Sequence, residues 1–517
     1  MTPDLLCCPR FMGSETEYGI ATPSDPGLSP IITSTHAVVG YAAVHTSARS
    51  RWDFHGESPL RDSRGFDLRR YHTVPVVDPD AVGVANVVVD NGARFYVDHA
   101  HPEYSSPECS NAWDVMVYDA AGDLIVLDAV RAVAQLTQQG ISVLKDHQPC
   151  PELKIYKNNT DGKGASYGAH ENYQYARETD FDVLAQGLIP FFVTRQVIIG
   201  AGRVGLGEDG ATPGFQISQR ADYFKQEISL ETTLNRGIIN TRDEPHADAD
   251  RFCRLHTIVG DANLSQTATF LKFGMTSMVL DAIESGVDFS DLALRDPVAE
   301  LKAVSRDLSL THRLQLADGR ELSATRILRE YLERVRVRGG VDKRVVEEWS
   351  RVLDLLDADP MRTADLLDWT AKLRLIRSFM DRGVPAGDAK LKLIDLQYCD
   401  IDPKRGLYHA LVRKGAMRTL VDAPQLRDAA SHPPRDSRAW LRATLVRDFG
   451  EHVLAASWQS VVLACSTGAA QVRFDDVDSC TFELAGPIIE HAGGDVTALL
   501  DGLSRLERCS VERYSSR

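Results

Sequence analysis

Apolar and polar positions alternate with a period of two in two places near the start of the chain. Residues 10–22 read as a strand in which Phe11, Met12 and Ile20 bracket Glu15 and Glu17. In "ANVVVDNGARFYVDHAH" a β-branched run, the pair Asn91-Gly92 and a second alternating run predict a β-hairpin. Residues i and i+2 of a strand point to the same side. Glu15 and Glu17 therefore face together, with Thr16 opposite, and Arg94, Tyr96 and Asp98 share one face while Phe95 and Val97 share the other. A sheet with one solvated face shows the same alternation, so neither strand alone specifies a site. "KIYKNN" reads as a further strand ahead of a Gly-rich loop.

The period changes to 3.6 elsewhere. Residues 36–46 predict a short helix, and residues 124–138 predict an amphipathic one through Leu124, Leu127, Val130 and Val133. Residues 268–285 carry the stripe Leu271, Met275, Met278, Val279, Ala282 and Ile283, stopped by Gly286. Residues 323–381 read as mostly helical, with Lys and Arg interleaved among Leu and Val. Strands in the first half with helices inserted give an α+β architecture. The segment 49–80 is rich in charge, Gly and Pro and has little apolar periodicity, the mark of a functional or disordered insertion. "ASHPPRDSRAW" at 430–440 marks a boundary, which divides the chain into a domain over 1–430 and a small C-terminal domain over 435–517.

Composition narrows the function. A net charge of -15 argues against a general nucleic-acid binder. Nine cysteines without a C-x-x-C pair fit a reducing cytoplasm and no zinc ribbon. The opening residues show no basic region followed by an apolar segment, so no signal peptide is expected. "LIPFFVTRQVIIGAG" is broken by Pro190 and Arg195 and reads as too short and polar to span a bilayer, so no membrane partner is expected.

Chemistry concentrates in a few segments. Asp98 is followed by His99, His101 and Glu103, and carboxylates from neighbouring strands can supply the oxygen ligands that hard divalent cations require. Mg²⁺ with a nucleotide suits this set better than Zn²⁺, which takes more His and Cys. "YKNNTDGKGASYGAHENY" ends in His170-Glu171-Asn172, and "INTRDEPHADADRFCRLH" offers Arg242, Asp243, Glu244, His246 and His256. Two short matches fail on context. "GLGEDG" opens into "ATPG" and not a helix, and no apolar strand leads into Ser166 of "GASYG". With no G-x-x-x-x-G-K-[ST], a bound ATP would rest on a sheet with metals and not on a P-loop.

"GSETEYGI", "NGARFYVDHAHPEYSSPE", "YKNNTDGKGASYGAHENY" and "GIINTRDEPHADADRFCRLHTIVGDANLS", in this order, resemble the Pup ligase/depupylase family. The inserted polar segment and "DHAHPEYSSPE" are similar to its hydrolase branch more than to its ligase branch. The resemblance implies a glutamine-synthetase-like fold: a curved antiparallel β-sheet cradle backed by helices, with the small C-terminal domain contributing to a nucleotide site. It places Glu15, Glu17, Tyr96, Glu103 and His170 at metal positions and Asp98 at the catalytic aspartate. Arg94, Ser106, Arg242, His256 and Trp458 fall at positions that contact the nucleotide or its phosphates. The implied cofactors are ATP, or ADP with phosphate, and Mg²⁺. The implied substrates are Pup, whose C-terminal Gln would be deamidated to Glu, and pupylated proteins, whose isopeptide bond would be cleaved. The link to the proteasome pathway would be indirect. Asp98 could serve as nucleophile or as base. Arg195, Arg203, Arg220 and Arg236 are candidates for a basic groove that receives acidic Pup. The alternatives are a Pup–protein ligase, a small-molecule carboxylate–amine ligase and a non-enzymatic scaffold.

Overall fold

The structure, a computed structural model, describes residues 10–46, 51–54, 57, 61–64 and 82–515. Much of the inserted segment expected at 49–80 lies outside the described residues. At the centre is a six-stranded antiparallel sheet. Its strands are β1 (Met12–Glu17), β2 (Asn86–Val88), β3 (Arg94–Asp98), β4 (His101–Ser105), β5 (Ala169–Ala176) and β6 (Phe252–Thr257), in the spatial order β6-β5-β1-β4-β3-β2.

The alternation seen in the sequence is the division between the two faces. Phe95, Val97 and Tyr104 point back into an apolar cluster with Val38, Tyr41, Ile125 and Val126. This cluster packs α1 (Pro30–His45) and α2 (Ala112–Gln138) behind the hairpin. Tyr173 and Leu255 point back into a larger core with α3 (Phe181–Ile199) and α4 (Gln266–Glu284). α1 begins six residues before the expected 36, because Pro30 at the first turn fits a helix start. α2 begins at Ala112, where the Asn111 side chain caps the backbone N–H of Asp114 at 3.0 Å. Its first turns show little one-sided stripe because they are covered on several sides. α3 is long and apolar enough to cross a membrane by composition, but 83% of its most apolar window is buried inside the protein.

Residues 323–381 form the helices Ala324–Arg334, Gly340–Ala358 and Asp368–Met380, as their periodicity predicts. The residues after 435 supply four strands of a five-stranded sheet with its own apolar core, which includes Leu445, Val461, Leu463, Val472 and Leu499. The two-residue strand Arg51–Trp52 joins this sheet in parallel, so part of the 49–80 segment belongs to the C-terminal unit. The same unit is clasped to the cradle through Glu108. Arg438 donates to it at 2.9 Å and Arg442 at 3.0 Å, and Arg442 also donates to the Gly92 carbonyl at 2.8 Å.

Candidate active site

The front face of the sheet carries the polar half of every alternation. Across the register Glu17, Glu103, Tyr96 and Asn86 stand in one row, and His170, Glu15, Ser105 and Arg94 in the next. Together they floor a cavity of about 720 Å³ whose walls include Asp98, His101, Arg220, Arg236, Arg242, Arg254 and Trp458.

Two triads of metal-ligating side chains lie on this floor, each with its ligand atoms within 4.8 Å of one another: Glu15, His170 and His256, and Glu17, Asp98 and Glu103. In the first, His170 Nδ1 lies 3.2 Å from Glu15, and Asn172 donates to Glu15 at 3.0 Å. The Asn172 amide therefore turns its oxygen to Arg254 at 2.9 Å and to His256 Nδ1 at 3.0 Å. That oxygen only accepts, so His256 carries its proton on Nδ1 and presents a lone pair on Nε2. Nε2 is buried and has no hydrogen-bond partner among the described residues. A buried lone pair aimed at a carboxylate and a second imidazole fits a cation. Burial works to raise the Glu15 pKa, but the His170 hydrogen bond and the electrostatic influence of His256, His170 and Arg254 hold it well below the ordinary value.

The second triad is all oxygen. Burial, followed by the charges of Asp98, Glu17 and Glu15, pushes the Glu103 pKa well up. Three carboxylates this close repel unless a divalent cation compensates them, and an all-oxygen set suits Mg²⁺. The second triad thus fits the Mg²⁺ that the family resemblance implies, while the first, with two imidazoles, suits a cation that also takes nitrogen ligands.

Asp98 differs from its two neighbours. Its side chain is 37% exposed, against 10% for Glu17, and His99 lies 3.0 Å away. Burial favours its neutral form, but the His99 hydrogen bond and the charges of His99 and His170 outweigh this and lower its pKa. His99 adopts the left-handed conformation, φ 51°, at the tight β3–β4 turn, and its own pKa is raised by the contact with Asp98.

The expected nucleotide residues divide. Arg94 lies between aromatic faces, 4.0 Å over Trp52 and 3.9 Å over Tyr96, and donates to Asn86 at 2.8 Å. Trp52 in turn bonds Glu57 at 2.6 Å, so two residues of the polar segment fix this arginine, which sequence reasoning missed. Tyr96, expected as a metal ligand, is on the floor, but burial and the charges of Glu103 and Glu15 push its pKa well up and keep it a neutral phenol. Arg242 lines the cavity, and its Nε is buried without a partner among the described residues. Ser106 does not face the main cavity. It lies one residue past the front-facing Ser105, and its hydroxyl accepts from Ser14 N–H at 3.0 Å. It borders a smaller, mostly apolar cavity of about 90 Å³ that it shares with Met12, Val477, Arg438 and Trp458. Trp458 lines both spaces and lies 5.5 Å from Trp52.

Of the arginines expected in a basic groove, Arg195 is excluded: its guanidinium is wholly buried behind the sheet on Glu171, at 2.8 and 2.7 Å. Arg203 is spent on the Gly207 and Glu208 carbonyls at 2.9 Å. Arg220 and Arg236 also donate to carbonyls, Arg220 to Ile258 and Gly260 and Arg236 to Thr232 and Ser166, but unlike Arg203 they line the cavity and make no salt bridge among the described residues. Burial and the neighbouring Arg236 lower the Arg220 pKa to about 10. An anion brought between them would relieve that repulsion.

An antiparallel cradle with two triads able to hold cations on its floor and arginines in its walls defines an enzyme site. The sequence model of the Pup-ligase protein family matches residues 10–462, and the chain belongs to that family. It is 53% identical over 466 residues to the Pup deamidase/depupylase of Mycolicibacterium smegmatis, covering 88% of this chain and 91% of that one. It is 48% identical over 467 residues to the depupylase of Acidothermus cellulolyticus, covering 88% and 90%. Among solved structures it is similar to the ligase PafA in complex with the prokaryotic ubiquitin-like protein Pup, with TM-score 0.76, 28% identity and coverage of 96% and 95%. It is also similar to PafA in complex with ADP, with TM-score 0.70, 30% identity and coverage of 83% and 97%.

Proposed function

We propose that this chain is an amidohydrolase of the cytoplasm that acts on Pup. It deamidates the C-terminal Gln of Pup to Glu and cleaves the isopeptide bond between that Glu side chain and a lysine of a pupylated protein. Both reactions break the same γ-amide, so one site serves both. The relatives named deamidase and depupylase support the hydrolase over the ligase. The observation that carries the reading is Asp98: an ionised carboxylate, open to the cavity, beside two buried carboxylates.

A nucleotide, ATP or ADP with phosphate, would be held by Arg242 and Trp458 together with Mg²⁺ on the all-oxygen triad, and the bound cation would supply positive charge to stabilise an oxyanion. The chain's own residues do the rest. Asp98 attacks the γ-carbonyl carbon to form an anhydride, or takes a proton from the attacking water; its low pKa keeps it ionised at neutral pH, as both routes require. His99, whose pKa Asp98 raises, is a proton source for the leaving nitrogen. Arg220 and Arg236 orient anionic groups of Pup.

The test mixes the protein, ATP, Mg²⁺ and Gln-ended Pup and reads the mass of Pup. An amide-to-acid shift is expected. An unchanged mass, or an adduct formed with added protein, overturns the reading, and the adduct selects the ligase. Single turnover in ¹⁸O-water separates the two routes: label incorporated into Asp98 marks the anhydride.

A further inference from the structure

The pair Tyr167-Gly168, at the end of the "GASYG" run, reaches one carboxylate of the all-oxygen triad from two sides. Asn159 fixes this segment: its carbonyl accepts from the Tyr167 N–H at 3.1 Å, and its side chain donates to the Tyr167 carbonyl at 3.1 Å. Gly168 N–H then donates to Glu17 Oε1 at 2.9 Å. A Cβ at position 168 would stand 2.7 Å from that oxygen and 2.3 Å from His170 Nε2, so glycine is what lets the backbone come this close.

The second oxygen of Glu17 is approached through a stacked ring. His101 lies two residues before Glu103 on β4 and lines the same cavity. Its Nδ1 is 3.2 Å from Glu17 Oε2. That nitrogen is buried and makes no aligned hydrogen bond among the described residues. The plane of the imidazole is set instead by Tyr167, whose ring stacks on it with centroids 4.2 Å apart and planes 28° from parallel. Tyr167 is itself held in place. It is buried, and its hydroxyl donates to Asn158 Oδ1 at 2.6 Å. A side chain at Gly19 would collide with both ends of that bond, 2.6 Å from the hydroxyl and 2.7 Å from Asn158 Oδ1.

We propose that Tyr167 is a positioning residue of the cation site. It holds the edge of His101 against one oxygen of Glu17 while the neighbouring Gly168 N–H holds the other. The carboxylate is thereby kept in the orientation that brings it within 4.8 Å of Asp98 and Glu103. The inference rests on the reading of that triad as a Mg²⁺ site. A ligating carboxylate that is already oriented loses little freedom when the cation arrives, so partners behind the ligands govern affinity without touching the ion.

The experiment measures Mg²⁺ affinity of the full, nucleotide-free chain by calorimetry and by the Tm increase on titration. Tyr167→Leu, which removes the stack, should raise the Kd about tenfold, and Tyr167→Phe, which keeps it, should restore most of the affinity. His101→Phe keeps two stacked rings but removes Nδ1, and should also weaken Mg²⁺ about tenfold. Tyr167→Leu added to His101→Phe should cost little more, because Tyr167 acts through His101. A purely structural tyrosine would lower the Tm of the cation-free protein and leave the Kd alone. A Kd within about twofold of wild type in either folded single variant, or additive losses in the double variant, would overturn the proposal. A wild-type chain with no Mg²⁺ response would instead overturn the cation reading beneath it, and the proposal with it.

Discussion

Replacing Glu108 by Gln keeps the shape of the side chain and removes the single charge that Arg438 and Arg442 share. The two guanidinium side chains are 1% and 0% exposed and the carboxylate 15%, so water does not replace the lost partner. Burial works against the Glu108 charge, but Arg442 and Arg438 hold its pKa at about 2 against an ordinary 4.5. At about 1.36 kcal/mol per pH unit, that difference is worth roughly 3 kcal/mol. Removing one partner of a buried pair costs about 3–5 kcal/mol by independent reckoning, so the two agree. The sign follows from a depressed folded-state value. The contribution is complete above pH 4.5 and is lost as the pH falls towards 2. Urea unfolding followed by tryptophan fluorescence should give Glu108→Gln a loss of about 3 kcal/mol at pH 7. The gap between variant and wild type should narrow as the pH drops below 4.5. Arg442 also donates to the Trp458 carbonyl at 3.0 Å, so the variant should loosen the cavity wall as well. A variant within about 0.5 kcal/mol of wild type at pH 7, the range of a neutral surface change, would refute the clasp.

Three further outcomes follow from the same geometry. Glu103→Gln should raise the Tm of the cation-free protein by relieving carboxylate repulsion and should abolish the Tm increase on adding Mg²⁺, which at 100 times Kd amounts to about 2.7 kcal/mol in wild type; an unchanged Mg²⁺ response would remove Glu103 from the cation site. Gly92→Ala should destabilise by about 1–3 kcal/mol in urea unfolding, since φ is 82° and a Cβ would meet the Ala439 carbonyl at 2.7 Å; a neutral result would show that the turn can shift. Trp52→Ala should leave the chain folded but free Arg94 from its aromatic sandwich, and should weaken substrate turnover more than Tm; an equal loss in both would make the contact structural.

The floor of the site was legible because a strand has a period of two. That rule alone puts Glu15 with Glu17 and Arg94 with Tyr96 and Asp98, and the register of β1 on β4 then sets Glu17 opposite Glu103. Ser106, one residue beyond Ser105, lies outside the main cavity with its hydroxyl held by the Ser14 N–H. Arg195 misled because a charged residue in a helix normally marks a solvated face. Its partner Glu171 is on the back of β5, and nothing local announces that pairing. The Glu108 clasp and the packing of Trp52 on Arg94 were invisible for a related reason. They join residues far apart in the sequence, and their energy comes from burial that only the assembled fold creates.

The most direct test of the central claim is single-turnover cleavage of a Pup–lysine conjugate by Asp98→Asn, with nucleotide binding measured on the same preparation. The loss of the ionised carboxylate should reduce cleavage by about 10⁴-fold, as for other residues acting directly on the reacting bond, while nucleotide binding stays close to wild type. Cleavage at a near wild-type rate with intact binding would contradict the assignment of Asp98 and, with it, the chemistry ascribed to the cavity.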